Sequence, residues 1–96
     1  MPFAIVLAPE AVEDLERLKA AVRGTVKDAM ETHLRHEPEK TSRSRIKRLR
    51  GLSRPQYRLR VADIRIFYDV AEGVVEVLAI VPKSETAAWL VQFGEP

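Results

Sequence analysis

Cysteine is absent from this 96-residue sequence, and aromatic residues, glycine and long hydrophobic runs are scarce. Without cysteine, neither a disulfide nor a thiolate metal site can stiffen the fold. No apolar stretch approaches the roughly 20 residues that a membrane-spanning helix needs. The stretch FAIVLA, residues 3–8, is too short for a signal-peptide core and lacks a basic lead, so we expect a cytoplasmic protein. The length suits one domain, residues 1–96, with a single modest core.

Negative charge is nearly absent from the middle of the chain. Residues 43–65 contain nine basic residues and one acidic residue, a net charge of +8, whereas residues 1–42 carry −2 and residues 66–96 carry −4. This asymmetry indicates a polyanionic partner, either nucleic acid or an acidic protein segment. A solvated basic loop is the competing interpretation. Arginines that alternate with apolar residues favour a polyanionic partner, because a strand holds such arginines in a row on one face.

The first third of the chain predicts a strand followed by two helices. FAIVL, residues 3–7, is the strand candidate. Apolar residues then recur at helical spacing along one stripe, which Gly24 would end. A capping box at Thr25 and Asp28 would begin the second helix. The apolar stripes of the two helices consist of Ala11, Leu15, Leu18 and Val22, and of Val26, Met30 and Leu34.

Residues 57–70, YRLRVADIRIFYDV, predict a β-hairpin. Apolar residues recur at every second position on either side of a short turn at Ala62 and Asp63. Arginines occupy intervening positions, so we expect them to be exposed on the opposite face, where their mutual repulsion lowers stability. These arginines are Arg58, Arg60 and Arg65.

Four further segments complete the predicted fold. Residues 36–44 are polar and should form a mobile loop, and residues 45–52 approach the hairpin with at most a short strand. Residues 74–81 are almost entirely apolar, which suits a central strand covered on both faces, and residues 84–90 can form a short helix. The order predicts an α+β fold, β-α-α-β-β-β-α. Its mainly antiparallel four-stranded sheet would be packed by an N-terminal helical hairpin.

Motifs for metal, phosphate-loop or nucleophilic chemistry are weak or missing. His33 and His36 lie three residues apart without a third ligand, and we interpret both as structural. The sequence contains no glycine-rich phosphate loop and no nucleophile motif. We therefore expect neither a metal ion nor a cofactor.

The element order resembles that of the RelE/ParE superfamily, the toxins of type II toxin–antitoxin systems. The similarity covers about Phe3 to Val91 and includes RLRGL, YRLRVADIRIFYDV and VVEVLAIVPKSETAAWL. Its most specific part is the Leu-x-Gly turn at residues 49–51, followed by Tyr-Arg-Leu-Arg and Arg-Ile-Phe-Tyr. The resemblance implies a fold like that of small microbial ribonucleases and an acidic antitoxin as partner.

Three functions remain open under this resemblance. The RelE branch implies cleavage of messenger RNA in the ribosomal A site, with the ribosome and messenger RNA as partners. The ParE branch implies inhibition of DNA gyrase without nuclease chemistry. An inactive toxin that only binds antitoxin or nucleic acid is the third. We predict the first, a metal-independent endoribonuclease that uses no membrane and no small-molecule cofactor.

The resemblance also assigns roles to individual residues. Arg58, Arg60 and Arg65 match basic positions of a RelE-type active site, where they would bind phosphate and stabilise charge, since arginine is too basic to act as a general base. Lys83 falls where the family has a catalytic arginine. Trp89 falls where the family has a tyrosine that stacks on a base. The competing interpretations are an arginine face that only docks antitoxin, an ordinary exposed lysine, and a tryptophan that anchors the last helix.

Basic residues before the hairpin would contact the RNA backbone. Such contacts are independent of sequence and weaken as salt rises. The predicted RNA-binding residues, in addition to Trp89, are Arg45, Lys47, Arg48, Arg50 and Arg54.

Overall fold

A five-stranded sheet in the order β1-β5-β4-β3-β2 organises the computed structural model, which describes residues 1–96. Only β1 and β5 are parallel; the other neighbours are antiparallel. The elements are β1 (Ala4–Leu7), α1 (Pro9–Glu16), α2 (Ala20–Leu34), β2 (Ile46–Arg48), β3 (Tyr57–Val61), β4 (Ile64–Ala71), β5 (Val74–Pro82), a 3₁₀ turn (Lys83–Glu85) and α3 (Thr86–Phe93). The predicted α+β fold is confirmed, and its elements follow the predicted order apart from one additional strand. None of the helices is long and apolar enough to cross a membrane.

The sheet has one strand more than the predicted four. The additional strand is β2, which pairs with β3 and places Ile46 opposite Leu59. Only Ile46 of its three residues is buried. A strand of three residues with one buried side chain is too short to produce the alternation by which strands are recognised.

The helical hairpin breaks earlier than predicted. The extended backbone of Lys19 separates α1 from α2, and Leu18 packs against the core beside this break. Gly24 therefore lies inside α2 and does not end a helix. Thr25 is also inside α2, where its hydroxyl donates to the carbonyl of Ala21 at 3.1 Å, so the predicted capping box is wrong. Val22, expected in the first stripe, is 38% exposed.

Two hydrophobic clusters lie on opposite faces of the sheet. The larger one packs the buried side chains of α1 and α2 against alternate strand residues such as Leu59, Ile66 and Tyr68. The smaller one contains Phe67, Ala79 and Val81, with Leu49, Trp89 and Leu90 packed against it. Because α3 supplies two of these side chains, it covers part of the face that also carries the hairpin arginines.

The loop of residues 36–44 is anchored to the larger cluster. It has no helix or strand, as predicted, but Pro38 is fully buried. The hydroxyl of the buried Tyr68 donates to the Pro38 carbonyl at 2.6 Å. This contact ties the loop to the centre of the sheet, contrary to the expectation of a mobile loop.

The C-terminal residues close over the smaller cluster. The backbone N–H of Glu95 donates to the carbonyl of Arg54, and that of Ser53 donates to the carbonyl of Glu95, each at 2.8 Å. Gly94 makes this approach possible: a Cβ at this position would lie 2.5 Å from the carbonyl oxygen of Leu90. The segment after α3 is thus paired with the loop before β3.

Tyr68→Phe should lower the free energy of unfolding by about 1–2 kcal/mol, because it leaves the buried Pro38 carbonyl without its donor. Urea denaturation at neutral pH measures the loss. The matched control is Tyr57→Phe, whose hydroxyl lies 3.5 Å from Glu39 Oε2 and should contribute less than about 0.5 kcal/mol. Equal losses in the two variants would contradict the anchoring role of Tyr68.

The same variants test how the free energy of unfolding depends on pH in the alkaline range. Burial raises the pKa of Tyr68 well above its usual range. A tyrosine whose pKa is higher in the folded state contributes fully below about pH 10, and its contribution falls as pH rises from there. The stability of Tyr68→Phe should therefore decline less steeply above that pH than the stability of the parent protein.

Candidate functional site

The register of β2, β3 and β4 gathers four basic side chains on one face of the sheet. Arg60 lies directly opposite Arg65, and Lys47 lies directly opposite Arg58. We call Lys47, Arg58, Arg60 and Arg65 the arginine face; it lies opposite the face that α1 and α2 cover. The two cross-strand pairs each join like charges, an arrangement that destabilises a sheet. The structure therefore brings together the three arginines of the hairpin, as the alternation predicted.

No carboxylate neutralises the arginine face. The five ion pairs of the molecule join Arg17 to Asp14, Arg35 to Glu31, Lys40 to Glu37, and Arg54 to both Asp69 and Glu76. None of them includes a member of the arginine face. Four cations on adjacent strands without a carboxylate partner give this face a positive potential.

Arg58 is the least satisfied member of this face. Its Nε is buried and has no hydrogen-bond partner. Burial lowers the pKa of Arg58, and the charges of Arg65 and Arg60 lower it further. Arginine nevertheless stays protonated at neutral pH. A desolvated cation flanked by two further cations is stabilised when an anion approaches it.

Arg65 is buried, contrary to the expectation of an exposed strand arginine. Its exposed fraction is 7%. One guanidinium nitrogen, Nη1, donates to the carbonyl of Ala62 at 2.7 Å and to that of Ile64 at 3.0 Å. The side chain thus folds back on the β3–β4 turn and is held there. Removing it would alter the turn as well as the charge, so it is a poor position for a test of charge alone.

Lys83 lies at the same end of the sheet as Arg60 and Arg65. Its backbone N–H donates to the carbonyl of Asp63 in the β3–β4 turn at 2.7 Å. The residue is exposed and makes no ion pair. The strand end therefore places a fifth cation beside the turn that holds Arg65.

Trp89 packs against the sheet on the side of the arginine face. Its ring stacks on Phe67, with 4.9 Å between ring centroids and 3° between planes, and its centroid lies 5.5 Å from that of Phe93. Phe67 in turn lies opposite Arg58. One face of the indole is covered by this stack, so the geometry supports Trp89 as an anchor of α3. Phe67 follows Arg65 by two positions in β4, a spacing that places both on one face of the strand; neither this position nor the contact with Trp89 was predicted.

The other predicted RNA-binding residues are dispersed. Arg48 points to the opposite face, where its guanidinium carbon lies 5.2 Å from the centre of the Tyr57 ring. Arg54 is held by its two carboxylates. Arg45 and Arg50 are exposed in the segments before and after β2. Of the predicted set only Lys47 joins the arginine face.

The histidine and tyrosine side chains, which serve as general acids or bases in many enzymes, lie elsewhere. His33 is on α2, where burial and the charge of Arg45 lower its pKa. Tyr57 and Tyr68 are stacked on the opposite face, and burial raises the pKa of both. No cluster of three or more potential metal ligands is present. The arginine face can bind an anion and stabilise developing negative charge through preorganised donors.

Comparison with known proteins gives one family and one fold. The family model described as ParE toxin of type II toxin-antitoxin system, parDE, matches residues 5–87. No curated protein matches significantly. The fold is similar to that of a mutant Escherichia coli toxin RelE in the free state, with a TM-score of 0.71, 23% identity, and coverage of 96% of this chain and 97% of that one.

Two toxin–antitoxin complexes contain similar chains. In the RelBE2 complex of Mycobacterium tuberculosis the TM-score is 0.70 at 20% identity, over 85% of this chain and 99% of that one. In the RelE–RelB complex of Pyrococcus horikoshii OT3 the TM-score is 0.65 at 24% identity, over 86% of this chain and 97% of that one. At these identities the likeness concerns the fold.

Arg58→Met should raise the free energy of unfolding by about 0.5–1 kcal/mol, because it removes a buried donor without a partner and relieves repulsion, an effect reduced by partial solvent exposure. Urea denaturation measures the change. The control is Arg23→Met on α2, a partly buried arginine away from the arginine face whose Nη1 donates to the carbonyl of Glu16 at 3.3 Å; its loss should change stability by less than about 0.5 kcal/mol. A clear loss of stability in Arg58→Met would show that Arg58 serves the fold.

Trp89→Ala should lower the free energy of unfolding by about 1–3 kcal/mol, less than for a fully buried tryptophan because the ring is only half-buried. Trp89→Phe should keep most of the stability, since it can still stack on Phe67. The control is Val91→Ala on the same helix, because Val91 is 88% exposed. Thermal unfolding that is unchanged in Trp89→Ala would refute the anchoring role.

Proposed function

This chain belongs to the ParE toxin family of type II toxin–antitoxin systems, and we propose that it arrests growth by cleaving messenger RNA on the ribosome, with the arginine face as its active site. The observation that carries the proposal is Arg58. Its buried Nε without a partner, next to Arg60 and Arg65, provides cationic donors in place before a substrate arrives. A phosphodiester is an anion with oxygens that match the planar fork of arginine.

The proposed reaction needs charge stabilisation more than any other contribution. The ribose 2′-oxygen attacks the adjacent phosphorus while the bond from phosphorus to the 5′-oxygen breaks, which gives a cyclic phosphate and a 5′-hydroxyl. Water accepts the proton of the 2′-hydroxyl, and water donates a proton to the departing 5′-oxygen. Negative charge collects on the non-bridging oxygens in the transition state. Removing one preorganised donor to such charge typically costs about 2.7–4 kcal/mol.

Each residue of the site has a distinct task in this proposal. Arg58 and Arg60 bind the non-bridging oxygens, and Arg65, fixed by the carbonyls of Ala62 and Ile64, presents its charge without a loss of rotamer freedom on binding. Lys83 adds positive charge at the end of the sheet where Arg60 and Arg65 lie. Trp89 acts indirectly, because its stack on Phe67 supports the strand pair that carries Arg58.

An acidic antitoxin segment would neutralise the toxin on the same face. The similar chains from Mycobacterium tuberculosis and Pyrococcus horikoshii come from complexes with their antitoxins. Carboxylates placed between the two like-charge pairs would remove the repulsion that the free protein tolerates. Toxin, ribosome and antitoxin would meet in the cytoplasm.

Inhibition of DNA gyrase is the second candidate. Three observations favour it, of which the first two are that no proton-transferring side chain belongs to the arginine face and that the matching family model is that of ParE. The Phe67–Trp89 stack also leaves one indole face covered, which weakens the case for base stacking. Binding of antitoxin or nucleic acid without any chemistry is the third possibility.

Induction of the protein alone should stop growth and produce messenger RNA cuts inside translated codons, without trapped DNA breaks. Arg58→Met should lower single-turnover cleavage on programmed ribosomes by roughly 10²–10³-fold, the kinetic equivalent of one lost donor. Arg58→Lys keeps the charge but loses the planar fork, so its cleavage rate should lie between those of the parent protein and Arg58→Met. Arg23→Met is the control and should cleave like the parent protein.

The outcomes separate the three functions. Growth arrest with intact messages and broken DNA would establish the gyrase reading and end the nuclease proposal. Normal growth would leave only binding. If Arg58→Met is folded and at least as stable as its parent but inactive, Arg58 takes part in the reaction and is not required for the fold.

A further inference from the structure

A groove of about 480 Å³ lies between α1, β5 and α3, and no residue of the arginine face lines it. Its floor is apolar and consists of Leu78, Val81, Trp89 and Phe93. Leu78 faces no residue of β4, because the β4–β5 register shifts there: Phe67 pairs with Ala79 and the next residue, Tyr68, with Val77. Phe93 remains 53% exposed. The size falls within the usual range for sites that bury a ligand or an anchoring side chain.

The rim of this groove is acidic. Glu10 and Glu13 line it from α1, and Glu85 and Glu95 line it from either end of α3. None of these four carboxylates has a cationic partner within 4.0 Å.

The cations that line the groove are already committed. Arg17 pairs with Asp14, and Arg54 pairs with Asp69 and Glu76. The groove therefore presents an excess of unpaired negative charge around an apolar floor. Its charge is opposite to that of the arginine face and to the net charge of +2 of the chain.

We propose that the groove docks a basic amphipathic segment of a partner protein. Apolar side chains of the segment would fill the floor, and its lysines or arginines would reach the four rim carboxylates. Charge complementarity selects such a partner over an acidic one, and the apolar floor selects a peptide segment over a small cation. A protein that covers both surfaces of the toxin must then combine an acidic stretch for the arginine face with a basic one for the groove.

A second copy of this chain fits the groove less well. Its basic surface is the arginine face, and the apolar residue adjoining that face, Phe67, is already covered by Trp89. The exposed large apolar side chains, such as Val91 and Phe93 of α3, lie outside the three strands that carry the arginine face, so a copy docked through that face would bring charge without one of them. A separate peptide segment can supply both.

Trp89 provides a direct readout, because it is the single tryptophan of the chain and lines the groove. The probe is a synthetic amphipathic peptide without tryptophan, with leucine and phenylalanine on one helical face and lysines on the other. Titration should move the emission of Trp89 to shorter wavelength and saturate. An analogue with glutamine in place of every lysine should bind at least about tenfold more weakly, and added salt should weaken the lysine peptide.

Variants of α1 locate the binding site. The double variant Glu10→Lys with Glu13→Lys should weaken the lysine peptide at least about fivefold. Glu16→Lys is the matched control on the same helix but outside the groove, and it should bind like the parent protein. Circular dichroism confirms that all three proteins are folded.

Four results would overturn the proposal: no saturable emission change, equal binding of the glutamine analogue, equal affinity of the double variant, or an emission that depends on protein concentration alone. The last would identify a second copy as the occupant. The titration contains neither ribosomes nor DNA. A negative titration would therefore not bear on the proposed cleavage of messenger RNA. A negative cleavage assay would likewise not bear on the groove.

Discussion

The pairing of β3 with β4 is the constraint on which the rest of this structure depends. Its register sets Leu59 opposite Ile66 on the covered face and Arg60 opposite Arg65 on the other. Because side chains alternate along a strand, a slip of one residue would drive the arginines into the core and expose its apolar residues. This one alignment determines the larger cluster, the arginine face and the stacking of Trp89 on Phe67.

Stability and binding oppose each other on the arginine face. Two like-charge pairs and a buried Nε without a partner are unfavourable in the isolated protein, and nearby carboxylates could have relieved them. The carboxylates of this sheet face, Asp69 and Glu76, instead hold Arg54. The cations of the arginine face therefore have no carboxylate partner, a pattern typical of sites that are stabilised by their ligands.

The sequence predicted what alternation and composition control. It indicated the hairpin, the shared face of Arg58, Arg60 and Arg65, and the element order. It misplaced the helix break, which falls at the extended Lys19 beside the partly buried Leu18 and not at Gly24. It also missed the burial of Arg65 and the acidic groove. Those depend on how one side chain folds back on its own turn and on where α1 and α3 meet β5, which local patterns do not contain.

The parallel pairing of β1 with β5 has a consequence for folding kinetics. Ala4 pairs with Val74, so the two partners are 70 residues apart, whereas β3, β4 and β5 are joined by short turns. The entropy of closing so long a loop must be lost before the parallel contact contributes anything. The meander is thus the natural nucleus, and the edge strand completes the sheet only after nearly the whole chain is available.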